Sequence, residues 1–279
     1  MELLPGENKQ LQEILQEWKQ HPEREMEASF GKNGSVDTTT FLNIIQRLKA
    51  KGYAALPQED KLNIITPEQV RFSLMGLGTI SQYCKDDILA NKHFIAIIKD
   101  KAGQETRPLK LEEYDVLVKL CREIPLDSKK KDDPQVKELL AKWPQQRKAF
   151  RMIRRWTFEG QGIRFDLSMV RSTAKDTKGN YRWVRGFNDS KFLESPPSYE
   201  IEVELVHSEE AIETDLKNFI RGIGEVLRGI QKNTLLIRKS VKDKVLREYS
   251  SLTKMPGFRG VAPKTLQVKN MAVEREPNV

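Results

Sequence analysis

Tyr199-Glu200-Ile201-Glu202-Val203-Glu204-Leu205 alternates strictly between large apolar or aromatic residues and glutamates. Successive side chains of a β-strand point to opposite faces, so Tyr199, Ile201, Val203 and Leu205 share one face and Glu200, Glu202 and Glu204 the other. Carboxylates at i and i+2 lie roughly 6.5–7 Å apart on a strand and repel one another. An ordinary solvent face mixes in Lys or Thr. A face of Glu alone is relieved by a divalent cation, because Mg²⁺ and Mn²⁺ take hard oxygen ligands. From this stretch by itself, a solvated acidic strand and one wall of a metal site are both open.

A second stretch points to the metal. Glu25-Met26-Glu27, continuing into Ala28-Ser29-Phe30-Gly31, is another short strand with Glu at alternate positions. A lone Glu-x-Glu is common. Two of them near opposite ends of a chain can pair side by side and hold one ion between them.

The 279 residues fit one large domain or two small ones. With 38% hydrophobic residues the chain can bury a core, and its net charge of +8 favours a polyanionic partner such as nucleic acid or polyphosphate. Acidic strands inside a basic protein suggest a metal and an anion bound together. Two cysteines, Cys84 and Cys121, with no CxxC, and three scattered histidines argue against an ordinary zinc site. The thiols read as buried, and the context as intracellular and reducing. Neither a signal peptide nor an apolar run of membrane-spanning length is present.

In chain order, Leu11, Ile14, Leu15 and Trp18 predict an amphipathic helix over 7–19. Lys32-Asn33-Gly34 reads as a turn, and Asp37 or a nearby Thr as the cap of a helix over 39–51 that stops at Gly52. Val70–Leu74 alternates, with Arg71 and Ser73 on one face; Ile80–Cys84 reads as a helical turn. Phe94–Lys101 is apolar with a basic end. Tyr114–Ile124 places Lys119, Cys121 and Glu123 together. The charged segment Asp127–Asp133, including Lys129–Lys131, reads as a loop before a helix over 134–142. Ala149–Phe158 is a basic strand carrying Arg151, Arg154 and Arg155; Gly162–Ser172 puts Arg164, Asp166 and Ser168 on one face. Lys178-Gly179-Asn180 reads as a turn and Tyr181–Gly186 as a further strand with Arg182 and Arg185. After Val206 the period changes, predicting helices over 209–231 and 237–250. Antiparallel strands with one charged and one apolar face can close into a barrel. If the charged face is inside, the barrel is a polar tunnel covered by helices, an α+β fold.

At REMEASFG (24–31), VRFSLMGLGTISQYC (70–84), VKLCREIPL (118–126), FRMIRRWTFEGQGIRFDLSMVRS (150–172) and YEIEVEL (199–205), the chain resembles the triphosphate tunnel metalloenzymes. Within them it resembles the RNA triphosphatase domains of mRNA capping enzymes of large cytoplasmic DNA viruses. The resemblance implies an eight-stranded antiparallel β-barrel tunnel with a charged interior and peripheral helices. It implies Glu25, Glu27 and Glu204 as ligands of Mg²⁺ or Mn²⁺, with Glu200 and Glu202 beside them. Arg71, Arg155, Arg164 and a lysine of the Lys99/Lys101 strand match phosphate-binding positions, and Lys119 and Arg151 extend that basic set. Asp166 and Ser168 match the family's Arg-x-Asp-x-Ser/Thr motif, and Glu123 a further tunnel glutamate; Glu123 and Glu202 are candidates to orient the attacking water. The family's Lys-x-Arg pattern is broken by Ile153, so which of Arg151, Arg154 and Arg155 points inward stays open.

The expected activity is metal-dependent removal of the γ-phosphate from 5′-triphosphate RNA, the first step of cap formation. Residues 1–250 would form the tunnel domain, with 1–20 as its N-terminal helix. Residues 251–279 would be a linker or the start of a guanylyltransferase domain, because Phe258–Leu266 looks like the run leading into one. The same resemblance implies a cytoplasmic viral factory or virion as location and leaves open whether a methyltransferase lies beyond. Two competing readings are a tunnel enzyme acting on free NTP or polyphosphate, and a basic barrel that holds RNA without catalysis.

Overall fold

A computed structural model describes residues 1–30, 36–100, 107–126, 133–207 and 209–255. The expected turn at Lys32-Asn33-Gly34, most of the Asp127–Asp133 loop, Lys101 and the Phe258–Leu266 run lie outside the described residues.

The strands are β1 (Arg24–Phe30), β2 (Ala54–Ala55), β3 (Glu59–Ile65), β4 (Val70–Met75), β5 (Ile95–Asp100), β6 (Leu109–Leu111), β7 (Val116–Leu126), β8 (Ala149–Gly160), β9 (Ile163–Ser172) and β10 (Ser198–Leu205). Hydrogen bonding runs β1-β10-β9-β8-β3-β4-β5-β7, and β7 pairs back onto β1. Eight antiparallel strands therefore close a barrel, as expected; β2 and β6 are short additions on β8 and β7. Closure follows from long β7: its Arg122–Leu126 end pairs with β5, while Arg24–Phe30 of β1 covers Val116–Arg122.

The barrel is apolar outside because helices cover it. The helices α1 (Pro5–Gln20), α2 (Thr38–Ala50) and α5 (Ile212–Gln231) pack Trp18, Ile44 and Phe219 with Met26, Phe165 and Val203 in one cluster. The helices α3 (Leu77–Asp86) and α4 (Pro134–Ala141) pack Tyr83 and Leu139 with Phe72, Phe150 and Trp143 in a second. Burying one such side chain contributes ~1.5–3 kcal/mol, so both covered faces add to the stability of the closed barrel. Asp37 caps α2, accepting from the Thr40 amide at 2.7 Å, and Asp133 caps α4. Gly222 lets α5 approach the sheet: a Cβ there would meet Ile163 Cδ1 at 2.9 Å and Val203 Cγ1 at 3.1 Å. Ile163 and Val203 belong to the strands that carry Arg164, Glu202 and Glu204 inward, so α5 braces that wall.

Two expectations change. Tyr181–Gly186 is not a strand; it makes only the single rungs Lys175↔Tyr181 and Lys148↔Val184. Its neighbours β8 and β9 have their edges taken by β3 and β10 and by each other, so a closed barrel leaves no ladder to join. Conversely, β3 was not expected, although Lys61-Leu62-Asn63-Ile64 alternates; α3 extends the helical turn expected at Ile80–Cys84.

The chain groups into two compact units, Met1–Leu236 and Ile237–Val279. In the second, α6 (Lys239–Thr253) has no buried residue and exposes Val241, Val245 and Leu252. Both cysteines are free thiols, Cys121 buried and Cys84 half-buried. No helix among the described residues is long and apolar enough to cross a membrane.

Candidate active site in the barrel interior

The barrel encloses a cavity of about 890 Å³. Its lining comes from alternate positions: Glu25, Glu27 and Ser29 on β1, Glu200, Glu202 and Glu204 on β10, Arg164 and Asp166 on β9, and Arg151, Ile153 and Arg155 on β8. Lys61 and Asn63 on β3, Arg71 on β4, and Lys119 and Glu123 on β7 complete it. The doubt over β8 is thus resolved. Arg151 and Arg155 face the lumen, while Arg154 sits on the opposite parity and pairs with Asp60 at 2.9 Å.

Register brings the two Glu-x-Glu strands together. Glu27 lies directly across from Glu204, and carboxylate oxygens of Glu25, Glu27 and Glu204 all lie within 4.8 Å of one another. Burial, and then the negative charge of Asp166, Glu25, Glu202 and Glu27, pushes the Glu204 carboxyl up to about 8. Such a cluster gains from a cation. Lys119 supplies one charge, its Nζ 2.5 Å from Glu27 Oε1; burial disfavours the ammonium, yet Glu27 holds its pKa above the usual lysine range. The donor set is all hard oxygen, which fits Mg²⁺ or Mn²⁺ and no thiol-seeking metal.

The arginines are held in carboxylate brackets. Arg155 donates to Asp166 at 2.7 Å and to Ser168 Oγ at 3.1 Å, with Glu202 at 3.7 Å. Thr157 donates to the other Asp166 oxygen at 2.6 Å, fixing a carboxylate only 3% exposed. Burial disfavours the Arg155 charge, but Asp166, Glu202, Glu204 and Glu59 together raise its pKa. Arg164 donates to Glu159 at 2.6 Å and lies 4.0 Å from Glu204. Arg71 donates to Glu123 at 2.6 Å, and Arg151 pairs with Glu200. Fixed guanidinium forks suit the non-bridging oxygens of a phosphate chain.

Of the residues singled out from the sequence, the three metal candidates, Glu123, Glu200, Glu202, Arg71, Lys119, Arg151, Arg155, Arg164 and Asp166 all line the lumen; Ser168 touches it through Arg155. The backbone of Lys99 lies opposite Glu123 in the β5–β7 ladder. Lys61, Asn63, Thr157 and Glu159 were missed. The first two were legible from the alternation of β3; Thr157 and Glu159 become meaningful only through their partners on β9.

The two mouths differ. One opens beside a smaller recess of about 500 Å³, lined by Leu56, Pro57, Glu59, Asp60, Met75 and Arg164 among others. At the other, Lys175, Pro197 and Ser198 frame the lumen.

No protein-family model and no curated protein matches the chain. Solved structures do. The RNA triphosphatase domain of a trifunctional mimivirus mRNA capping enzyme aligns at 17% identity and TM-score 0.53, over 82% of this chain and 100% of that one. A triclinic structure of the mimivirus capping enzyme triphosphatase gives 17% and 0.54, over 79% and 98%. A monoclinic form gives 18% and 0.53, over 79% and 99%. The likeness is one of fold: the chain has the tunnel architecture of those domains.

Proposed function

We propose that this chain hydrolyses the β,γ-phosphoanhydride of 5′-triphosphate RNA, as the first step of cap formation, with Mg²⁺ or Mn²⁺ held by Glu25, Glu27 and Glu204. One observation carries the reading: three carboxylates within 4.8 Å on one side of a lumen whose other walls present Arg71, Arg151, Arg155 and Arg164. Phosphoryl transfer needs positioning and charge stabilisation more than covalent chemistry, and this lumen offers both. When bound, the cation would neutralise the carboxylates and polarise a γ-phosphate oxygen as a Lewis acid.

The chain's own groups do the rest. The triphosphate displaces Glu123 from Arg71 and Glu200 from Arg151, and at Arg155 it takes the side facing Glu202 while Asp166 stays bound. Asp166, Ser168 and Thr157 keep Arg155 aimed into the lumen while that exchange occurs. Arg164 and Lys119 stand at the edges of the glutamate cluster and stabilise charge on the transferring group. Glu202, one pleat repeat from Glu204, orients the attacking water. Glu123, bound to Arg71, positions that guanidinium. No acyl- or phospho-enzyme is required.

The residues after α6 are proposed to lead into a guanylyltransferase domain, on the resemblance of Phe258–Leu266. Release of phosphate from γ-³²P-labelled triphosphate RNA, with and without Mn²⁺, tests the reading, with ATP as the competing substrate. Metal-dependent release from RNA ends is expected. No release from either substrate would return the barrel to a binding role, and preference for ATP would favour a nucleotide phosphohydrolase.

A further inference from the structure

We infer that the segment Thr173–Gly186 is a docking platform for the first nucleotides of single-stranded RNA, feeding its 5′ end into the tunnel. The direction of entry rests on the RNA-end reading above; the platform itself does not.

The segment begins where β9 ends, at Ser172, which pairs with the lumen residue Arg151. Lys175 lines the main cavity beside Ser198, Tyr199 and Glu200. From there the chain turns over Gly179, at φ +84°, and returns as Tyr181-Arg182-Trp183-Val184-Arg185. Tyr181 and Trp183 belong to neither apolar cluster and are partly exposed, with ring centroids 6.0 Å apart in an edge arrangement. Lys175 Nζ sits 4.9 Å from the Tyr181 centroid. Arg182, which lies between the aromatics in sequence, and Arg185, which follows them, are exposed. Half-exposed aromatics interleaved with cations is the arrangement that binds single strands, by base stacking and backbone attraction.

The platform is pre-shaped, which lowers the ordering cost of binding. Asp176 Oδ1 accepts from the Lys178 and Asn180 amides at 2.9 Å each, so the segment's one acidic side chain is spent on its turn. The Arg182 amide donates to Ala174 O at 2.8 Å, and Lys148 and Val184 exchange backbone bonds.

The charge of the two mouths selects this one. At the opposite mouth Glu59, Asp60 and Glu159 are each matched by one cation, Lys61, Arg154 and Arg164, so that mouth offers no surplus positive charge to a phosphate chain. At the Lys175 mouth Arg151 is matched by Glu200, but the segment adds Lys175, Lys178, Arg182 and Arg185 against the single acid Asp176. RNA entering here would direct its terminal phosphates toward the glutamate cluster with its bases left outside on the two rings.

Fluorescence anisotropy with a labelled 5′-hydroxyl single-stranded RNA of about ten nucleotides tests the platform without requiring catalysis. Tyr181→Ala/Trp183→Ala should raise Kd roughly tenfold or more, the effect of losing one to two stacked bases. Tyr181→Phe/Trp183→Phe should keep most of the affinity. Arg182→Ala/Arg185→Ala should make the salt dependence of log Kd shallower by about 0.7 per lost phosphate contact. If the alanine pair at the rings does not fold, the arginine pair decides alone. Unchanged affinity and salt slope in the folded variants overturn the inference. Phosphate release by the wild type is read separately: lost RNA affinity in the variants of a protein that releases no phosphate supports the platform and refutes only the hydrolysis.

Discussion

The acidic wall of the lumen and its basic walls are built from the same device, charged residues at alternate strand positions, yet they stand in opposite electrostatic situations. Each of the four lumen arginines already has a carboxylate: Arg71 has Glu123, Arg151 has Glu200, Arg155 has Asp166 and Arg164 has Glu159. Glu204, in contrast, is crowded by Asp166, Glu25, Glu202 and Glu27. A cation at the proposed site would therefore meet a wall with surplus negative charge, whereas a phosphate would have to compete with carboxylates for the guanidiniums. The difference predicts an order of sensitivity: losing one member of the acidic wall removes a ligand with no substitute, while the basic walls share their load among several arginines.

The sharpest break of that comparison is Glu25→Ala, Glu27→Ala or Glu204→Ala. Each should lower metal-dependent phosphate release by roughly 10²–10³-fold or more, the range seen for deleting one key electrostatic stabiliser. Near wild-type turnover in all three would falsify the assignment of the cluster.

Next comes Arg155→Ala, which should cost about 10²-fold in kcat/KM. It should also lower Tm, because Asp166 is left buried without its cation, a loss of up to about 3 kcal/mol. Arg155→Lys should recover little, since one ammonium cannot serve Asp166, Ser168 and Glu202 in a planar fork. Full rescue by lysine would show that charge alone, and not the bracket, matters.

Titration sharpens the contrast further. Because the Glu204 carboxyl titrates near 8 in the metal-free fold, a cation must displace its proton at lower pH. Apparent Mn²⁺ affinity should rise up to about tenfold per pH unit between pH 6 and 8, then level, as read by calorimetry in two buffers of different ionisation enthalpy. The stability sign is set by the same shift. A carboxyl raised above its unfolded value contributes fully below pH 4.5 and loses that contribution as pH rises through about 8. Metal-free protein should thus weaken from pH 5 to 9, and Glu204→Gln should flatten the trend.

Arg154→Ala sets the floor. Its pair with Asp60 lies on the outer parity and is 40% exposed on the arginine side, so the change should cost under about 1 kcal/mol and leave phosphate release intact. A large loss of activity there would mean that the inward face of β8 has been misread.

How much of this was legible beforehand follows from strand periodicity. A period of two assigns faces without any knowledge of neighbours, so Glu200, Glu202 and Glu204 were bound to share a face, as were Arg164, Asp166 and Ser168. The same rule left β8 undecided, because Arg154 and Arg155 are adjacent and one of them had to be wrong. Tyr181-Arg182-Trp183 alternates like the start of a strand, but a strand needs an edge, and barrel closure had removed it.

The amino-acid order by itself determined which side chains share a face, which stretches are helical, and that carboxylates and guanidiniums occur in quantity on the polar faces. Only the tertiary structure decided that those faces turn inward. It also set Glu27 opposite Glu204, gave each arginine its bracket and stranded Lys175 at one mouth. The reason is range: face assignment depends on contacts one or two residues apart, whereas pairing β1 with β10 joins residues from opposite ends of the chain and is fixed only when eight strands and two helical covers settle together.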